Sequence, residues 1–207
     1  MLISTDTSLG QAVPDKYDYR KTVQINGSSQ IPGSEPLSNF PILFKVTADE
    51  FKSVSNGGYV TNPNGYDIIF ASTDSSQVFD HELESYDPNT GEVVAWVRIP
   101  SLQAGTDDTL GVHFGNSNVN SDPSTQGTWN SGYQLVQHMD TSFLDATGRD
   151  NDGTNNGTSD AAGQINRSRD FDGSNDYVEV ANDPTLNISG QITISMWVYL
   201  DGFDTIN

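Results

Sequence analysis

Short stretches in which every second residue is apolar recur along this chain, and that period of two predicts strands. Lys21, Val23 and Ile25 alternate with Thr22 and Gln24. Residues 40–47 form an apolar run with Pro41 near its start, where a strand tolerates proline. Tyr66, Ile68 and Phe70 share one face, as do Leu110, Val112 and Phe114. Residues 81–86 and 92–99 flank Asp87-Pro88-Asn89-Thr90-Gly91, which predicts a hairpin. In the second of these runs Val93, Ala95, Val97 and Ile99 face one way, and Val94 and Trp96 the other, beside Glu92 and Arg98. Residues 134–140 predict a further strand. The turn Asp172-Gly173-Ser174-Asn175 sits between two short extended runs. Near the end Ile192, Ile194, Met196, Val198 and Leu200 alternate with Thr193, Ser195, Trp197 and Tyr199, the pattern of a strand with one buried face. One segment departs from the period of two: residues 48–55 predict a short helix with Thr47 as its N-cap.

Composition changes this picture in three ways. Hydrophobic content is only 34%, which raises disorder as a competitor, but eight Tyr, nine Phe and three Trp sit inside the alternating runs and argue for a packed core. Net charge is −19, from 9 Lys and Arg against 28 Asp and Glu. Such a surface repels nucleic-acid phosphate and anionic membranes, and no apolar run is long enough to span a bilayer, so neither nucleic acid nor membrane insertion is expected. The acids are mostly Asp beside Gly, Asn and Ser, which suits either a solubilising surface or a hard-cation site. There is no cysteine, so a disulfide framework and a thiolate metal site are both excluded. The start, Met1-Leu2-Ile3-Ser4-Thr5-Asp6, lacks the basic and apolar regions of a signal peptide. An exported protein would carry its signal upstream.

Residues 1–14 read as a polar tail ending in Pro14. The best boundary is the polar stretch from Gly115 to Ser124, which sets a first domain at 15–116, a linker at 117–128 and a second domain at 129–207. The first domain carries Tyr19-Arg20-Lys21, Phe40-Pro41-Ile42-Leu43, Gly65-Tyr66-Asp67-Ile68-Ile69-Phe70, His81-Glu82-Leu83-Glu84-Ser85-Tyr86, Val94-Ala95-Trp96-Val97-Arg98-Ile99-Pro100 and His113-Phe114-Gly115-Asn116. In that order these blocks resemble the DUF2341 domain over about residues 15–120. The resemblance implies a domain of large exported prokaryotic proteins, of unknown function, often beside LamG-like modules. His113-Phe114 departs from it, since two tyrosines are commoner there. The second domain carries Asp145-Ala146-Thr147-Gly148-Arg149-Asp150-Asn151-Asp152-Gly153, then Phe171-Asp172-Gly173 with Asp176-Tyr177-Val178, then Thr193-Ile194-Ser195 with Trp197-Val198. These resemble the LamG-like jelly roll of the concanavalin A-like lectin and glucanase group, from residue 134 to 199. At Asn207 that family's sandwich would be about half built. The fold class expected is therefore all-β: two tandem β-sandwich domains, the second an incomplete LamG-like jelly roll.

Chemistry is sparse. Glycoside hydrolysis needs two carboxyls about 5 to 9 Å apart. Asp80, Glu82 and Glu84 share a strand face, the one arrangement of that kind, but the glucanase catalytic strand is absent and a solvent-facing edge accounts for the acids equally. His81, His113 and His138 lie in separate strands without zinc spacing. For calcium, Asp145, Asp150 and Asp152 lie in one loop and Asp172, Asn175 and Asp176 in another. A structural calcium in either competes with Asx-turns in which these side chains bond their own backbone. Trp129, Trp197 and Tyr199 are candidates for a sugar-stacking platform, against ordinary packing; Trp96 reads as domain core or as covered by the interdomain contact. Four Asn-X-Ser/Thr sequons, at Asn26, Asn156, Asn166 and Asn187, receive no function. The function expected is a non-enzymatic extracellular or cell-surface module of a larger protein, binding glycan or an extracellular protein, with other copies of itself as a further possible partner. The alternatives are a structural subunit of a fibre, sheath or surface layer, and a glycoside hydrolase or its accessory domain.

Overall fold

Alternating residues build two antiparallel sheets in the first part of the chain. The computed structural model describes residues 3–4, 16–31 and 33–200. It divides into two units, Met1–Val136 with Ala146–Gly148, and Gln137–Asp145 with Arg149–Asn207. In the first unit β1 (Ile3–Ser4), β2 (Tyr19–Ile25), β7 (Asp108–Phe114) and β4 (Ile69–Ala71) form one sheet in the order β1-β2-β7-β4. The other sheet, β3-β6-β5, comprises β3 (Leu37–Thr47), β5 (His81–Asp87) and β6 (Glu92–Leu102). Val23, Phe70, Leu110, Val112 and Phe114 of the first sheet and Phe44, Val46, Val93, Ala95, Val97 and Ile99 of the second share one buried cluster. The fold is thus all-β, with a sandwich core. Of the polar tail expected over 1–14, only Ile3–Ser4 falls among the described residues, as a strand on Val23 and Thr22.

Local chemistry fixes the connections. The hairpin between β5 and β6 turns where Asp87 accepts from Asn89 N at 2.9 Å and from Thr90 Oγ1 at 2.8 Å. Gly91 there has φ +71°, and a Cβ on it would run into the Ala48 carbonyl, so only glycine closes this turn without strain. In β5 the pairing with β6 slips between Leu83 and Ser85, leaving Glu84 as a bulge. That one extra residue lets Leu83 and Tyr86 both pack on the core. The helix expected over 48–55 is replaced by two single 3-10 turns, Asp49–Phe51 and Val54–Asn56; Thr47 closes β3 and supplies no cap. An α-turn, α1 (Gly27–Gln30), the one among the described residues, has no periodicity that signals it. Lys21 is buried on the inner face of β2 and is matched by Glu50 at 2.9 Å, with Phe51 beneath its ammonium. That hydrogen bond holds the Glu50 carboxyl below its ordinary range.

The second unit is a ribbon. β8 (Gly153–Asn156) pairs with β11 (Tyr177–Val180), and β9 (Ser159–Ala162) with β10 (Arg167–Asp170), all antiparallel. The turn at 172–175 exists, but its flanking strands pair with β9 and β8 and not with each other. Between the two ladders, Gly157 and Thr158 on one strand face residues 171–176 on the other. Residues 134–140 and 191–200, both expected as strands, carry no ladder, and every residue of 191–200 is exposed. Alternation states which face wants burial; it does not supply a neighbouring strand.

Candidate functional site

The acidic row on β5 is the first place to look for chemistry. Asp80 is ion-paired to Arg98 on β6 and accepts from Thr125 Oγ1 at 2.9 Å. Glu82 accepts from the indole N–H of Trp129 at 2.6 Å. Glu84 sits in the bulge, which breaks the expected three-acid face. These acids hold the chain that follows the first sandwich: Thr125 N donates to the His81 carbonyl and Ser124 Oγ accepts from Leu83 N, both at 2.9 Å. Residues 124–129 therefore strap the edge of β5. The expected linker at 117–128 lies inside the first unit, which runs on to Val136. Polar side chains here bond nearby backbone, as Asp122 does to Ser124 N and the preceding Asn116 does to Asn118 N.

Trp129 is a correction. It is 8% exposed, with Trp96 at 5.3 Å and Tyr133 at 5.2 Å between ring centroids, so it packs against the sheet and offers no sugar platform. Trp96 is half-buried on the outer face of the sheet, outside the core between the sheets. Trp197 and Tyr199 are 75% and 89% exposed, in the unpaired segment 191–200.

The two aspartate loops are each drawn together by backbone hydrogen bonds. Asp145 is buried and accepts from Asn151 N at 3.1 Å, while Asp152 accepts from Asp145 N at 2.8 Å. Asp150 is exposed, with φ +58°. Asp172 accepts from Ser174 N at 2.8 Å and Asn175 N at 3.4 Å, and Asp176 accepts from Asp172 N at 3.0 Å. The bond from Ser174 N to Asp172 is that of an Asx-turn, and the longer-range bonds close each loop on itself. Among the described residues no three Asp, Glu, His or Cys side chains are grouped to hold a metal ion.

Three polar sites emerge that periodicity did not reveal. Asp67 is fully buried and accepts from Thr61 N, Thr61 Oγ1, Asn62 N and Gly115 N at 2.8, 2.6, 2.9 and 3.1 Å. Its signal was an acid inside an otherwise apolar strand run. Burial, reinforced by the Asp67 charge, raises the Tyr17 and Tyr86 hydroxyls. In the second unit Arg169 is buried against Phe143, ion-paired to Asp160, and bonded to both the hydroxyl and the carbonyl of Thr158. The third is His113, fully buried beside Ser75. An apolar groove of about 350 Å³ also opens between the ends of β2, β3 and β6, lined by Ile25, Asn26, Ile31, Leu37, Phe40, Ile42 and Leu102, with no titratable group.

Residues 64–154 match the family model described as a domain of unknown function, DUF2341. That match supports the DUF2341 resemblance for the first part of the chain; the LamG-like resemblance receives no such support. No curated protein and no solved structure matches the chain.

Proposed function

We propose that the chain is a non-enzymatic binding module of a larger exported protein, acting outside the cell or at its surface and recognising glycan or a surface protein through residues 191–200. The observation that carries this reading is the exposure of Trp197 and Tyr199 in a ten-residue segment with no charged side chain, in a protein of net charge −19. Exposed apolar and aromatic surface of this extent marks an interaction site more often than a free surface. An extended segment with unpaired backbone also suits strand addition to a partner sheet. A LamG-like identity for residues 129–207 belongs to the same reading, as does a structural calcium in either aspartate loop.

The alternatives are less well supported. Hydrolysis would need Asp80 and Glu82 for chemistry, but both are engaged in holding Arg98, Thr125 and Trp129. A fibre or sheath built edge to edge would meet guarded edges: the strap covers β5, and β3 carries Asn39 at φ +51°, Pro41 and Lys45. The test is binding to arrayed glycans and to surface-protein extracts, with Trp197→Ala and Tyr199→Ala combined. Binding lost in the double variant, with melting unchanged, supports the reading. Binding that survives the double variant, or no binding at all, removes it.

A further inference from the structure

His113 sits on the outer face of its sheet, yet no part of it is exposed. On β7 the residues Leu110, Val112 and Phe114 point to the core, so Gly111 and His113 point away from it. What covers His113 is the loop at 72–77. This loop returns the chain from β4 through Ser72 N to the Gln77 carbonyl at 2.8 Å, an Ala71–Val78 bridge, and Phe79 N to the Phe70 carbonyl at 2.8 Å. Its first residue lies close on the sheet: a Cβ on Gly111 would stand 3.3 Å from the Ser72 carbonyl oxygen. Two side chains pin it. Ser75, in the left-handed region at φ +59°, brings its hydroxyl to 3.4 Å from His113 Nε2. Arg20, the direct cross-strand neighbour of His113, donates to the Thr73 carbonyl.

We propose that the loop at 72–77 is an acid-sensitive latch over this face, closed on neutral His113 and released when the ring takes a second proton. The groups around the ring are Arg20 on β2, Tyr17 at a centroid distance of 6.4 Å in the segment before β2, Ile69 opposite it on β4, and Ser75 of the loop. The charged group acting on it among these is a cation, Arg20. His113 Nδ1 and Arg20 Nε are both buried without a hydrogen-bond partner. A second ring proton would add a donor to a site that already has donors without acceptors, facing a like charge. Opening the loop hydrates both groups and removes the conflict without unfolding the sandwich.

The direction follows from linkage. Burial first, and Arg20 second, lower His113 from 6.5 to about 4 in the closed state. The closed loop therefore has its full stability above about pH 6.5 and loses it as pH falls toward 4. The loop's own carboxylate does not confuse this window. Asp74 is held at about 2 by the Ser72 and Ser76 hydroxyls and stays charged throughout. At pH 4.5 the closed-to-open ratio should fall on the order of fifty- to a hundredfold from its value at pH 7.

Hydrogen exchange of the whole chain, corrected for intrinsic rates, tests this at pH 7 and 4.5. The expected result is a loss of protection at residues 72–78 while β6 stays protected, with the loss absent in His113→Gln. Arg20→Gln, which removes the like charge, should shrink the loss and serves if the His113 variant does not fold. Equal protection of 72–78 at both pH values overturns the proposal. So does an undiminished loss in His113→Gln, which would point to the other buried histidine, His81, or to global acid unfolding.

Discussion

Replacing Asp67 by asparagine keeps the shape of the side chain and removes its charge, in a position with no solvent to compensate. The carboxylate accepts four hydrogen bonds, three at Oδ2 from Thr61 N, Thr61 Oγ1 and Gly115 N, and one at Oδ1 from Asn62 N. Asparagine does best with its oxygen at the Oδ2 place. Its amide N–H₂ then faces the Asn62 N–H, donor against donor. One buried backbone N–H loses its acceptor, at about 1 to 3 kcal/mol, and the remaining three bonds lose their charge assistance. The sum is about 3 to 4 kcal/mol, a large share of the 5 to 15 kcal/mol typical of a domain. Urea unfolding followed by the fluorescence of Trp96 and Trp129, both in the first unit, reads this directly. A second readout is independent of stability. The Asp67 charge contributes, after burial, to raising Tyr17 and Tyr86, so both should titrate at lower pH in the variant than in wild type. An unfolding midpoint within about 0.5 kcal/mol of wild type, with tyrosine titration unmoved, would falsify the account of Asp67 as the anchor joining the 61–62 loop to Gly115.

In the second unit, Arg169→Met should cost about 1 to 3 kcal/mol and weaken amide protection in β9 and β10, because the Thr158 hydroxyl and carbonyl lose its guanidinium while Asp160 keeps only Arg167; protection unchanged would show the ribbon does not depend on it. Trp129→Phe retains an aromatic ring but leaves Glu82 without its 2.6 Å donor, so thermal melting should drop by the equivalent of about 1.5 to 3 kcal/mol, and Glu82→Gln should drop it less. Chymotrypsin should cut first after Trp197, Tyr199 or Leu200, which are exposed and unpaired; a first cut after the buried Trp129 would mean the strap is not closed in solution. A structural calcium at a hundredfold over its dissociation constant adds about 2.7 kcal/mol, so melting should rise with millimolar calcium and Asp172→Ala should blunt the rise if that loop holds it. Identical curves in EDTA and calcium reject the site.

What the sequence made legible was local. The β5–β6 hairpin and the inward set Val93, Ala95, Val97 and Ile99 could be read because a turn signal and a strict alternation agree there. The bulge at Glu84 could not, since one inserted residue shifts the parity without any change in composition, and it also dissolves the apparent acidic row. Residues 117–128, read as a linker, belong to the first unit in the structure, and composition does not separate the two cases: Asn, Asp and Ser serve an Asx-turn packed on a sheet as well as they serve a free loop. Asp67 and His113 are set in part by partners far away in the chain, Gly115 and Ser75, and Arg169 by its cross-strand neighbour Asp160, none of which an alternating pattern encodes. Trp197 and Tyr199 illustrate the limit from the other side. Their alternation was clear, but the sheet that would bury the opposite face is not among the described residues.

The interruption in the β8–β11 ribbon has an arithmetic consequence for how this unit can change length. Two residues on one strand stand against six on the other, an excess of four, and the ladders on both sides keep the same faces because four is even. Deleting residues 172–175 would merge the two ladders into one uninterrupted hairpin with every side chain still on its present face. Removing one or three residues would turn Tyr177, Val178, Glu179 and Val180 over. Insertions obey the same parity only where they extend the ladder; within the turn itself, with the exposed Gly173 at φ +75° and nothing within 4 Å of where its Cβ would be, added chain projects into solvent. The 172–175 turn is thus the place in this unit where a whole peptide or a further domain can be grafted while both ladders keep their register.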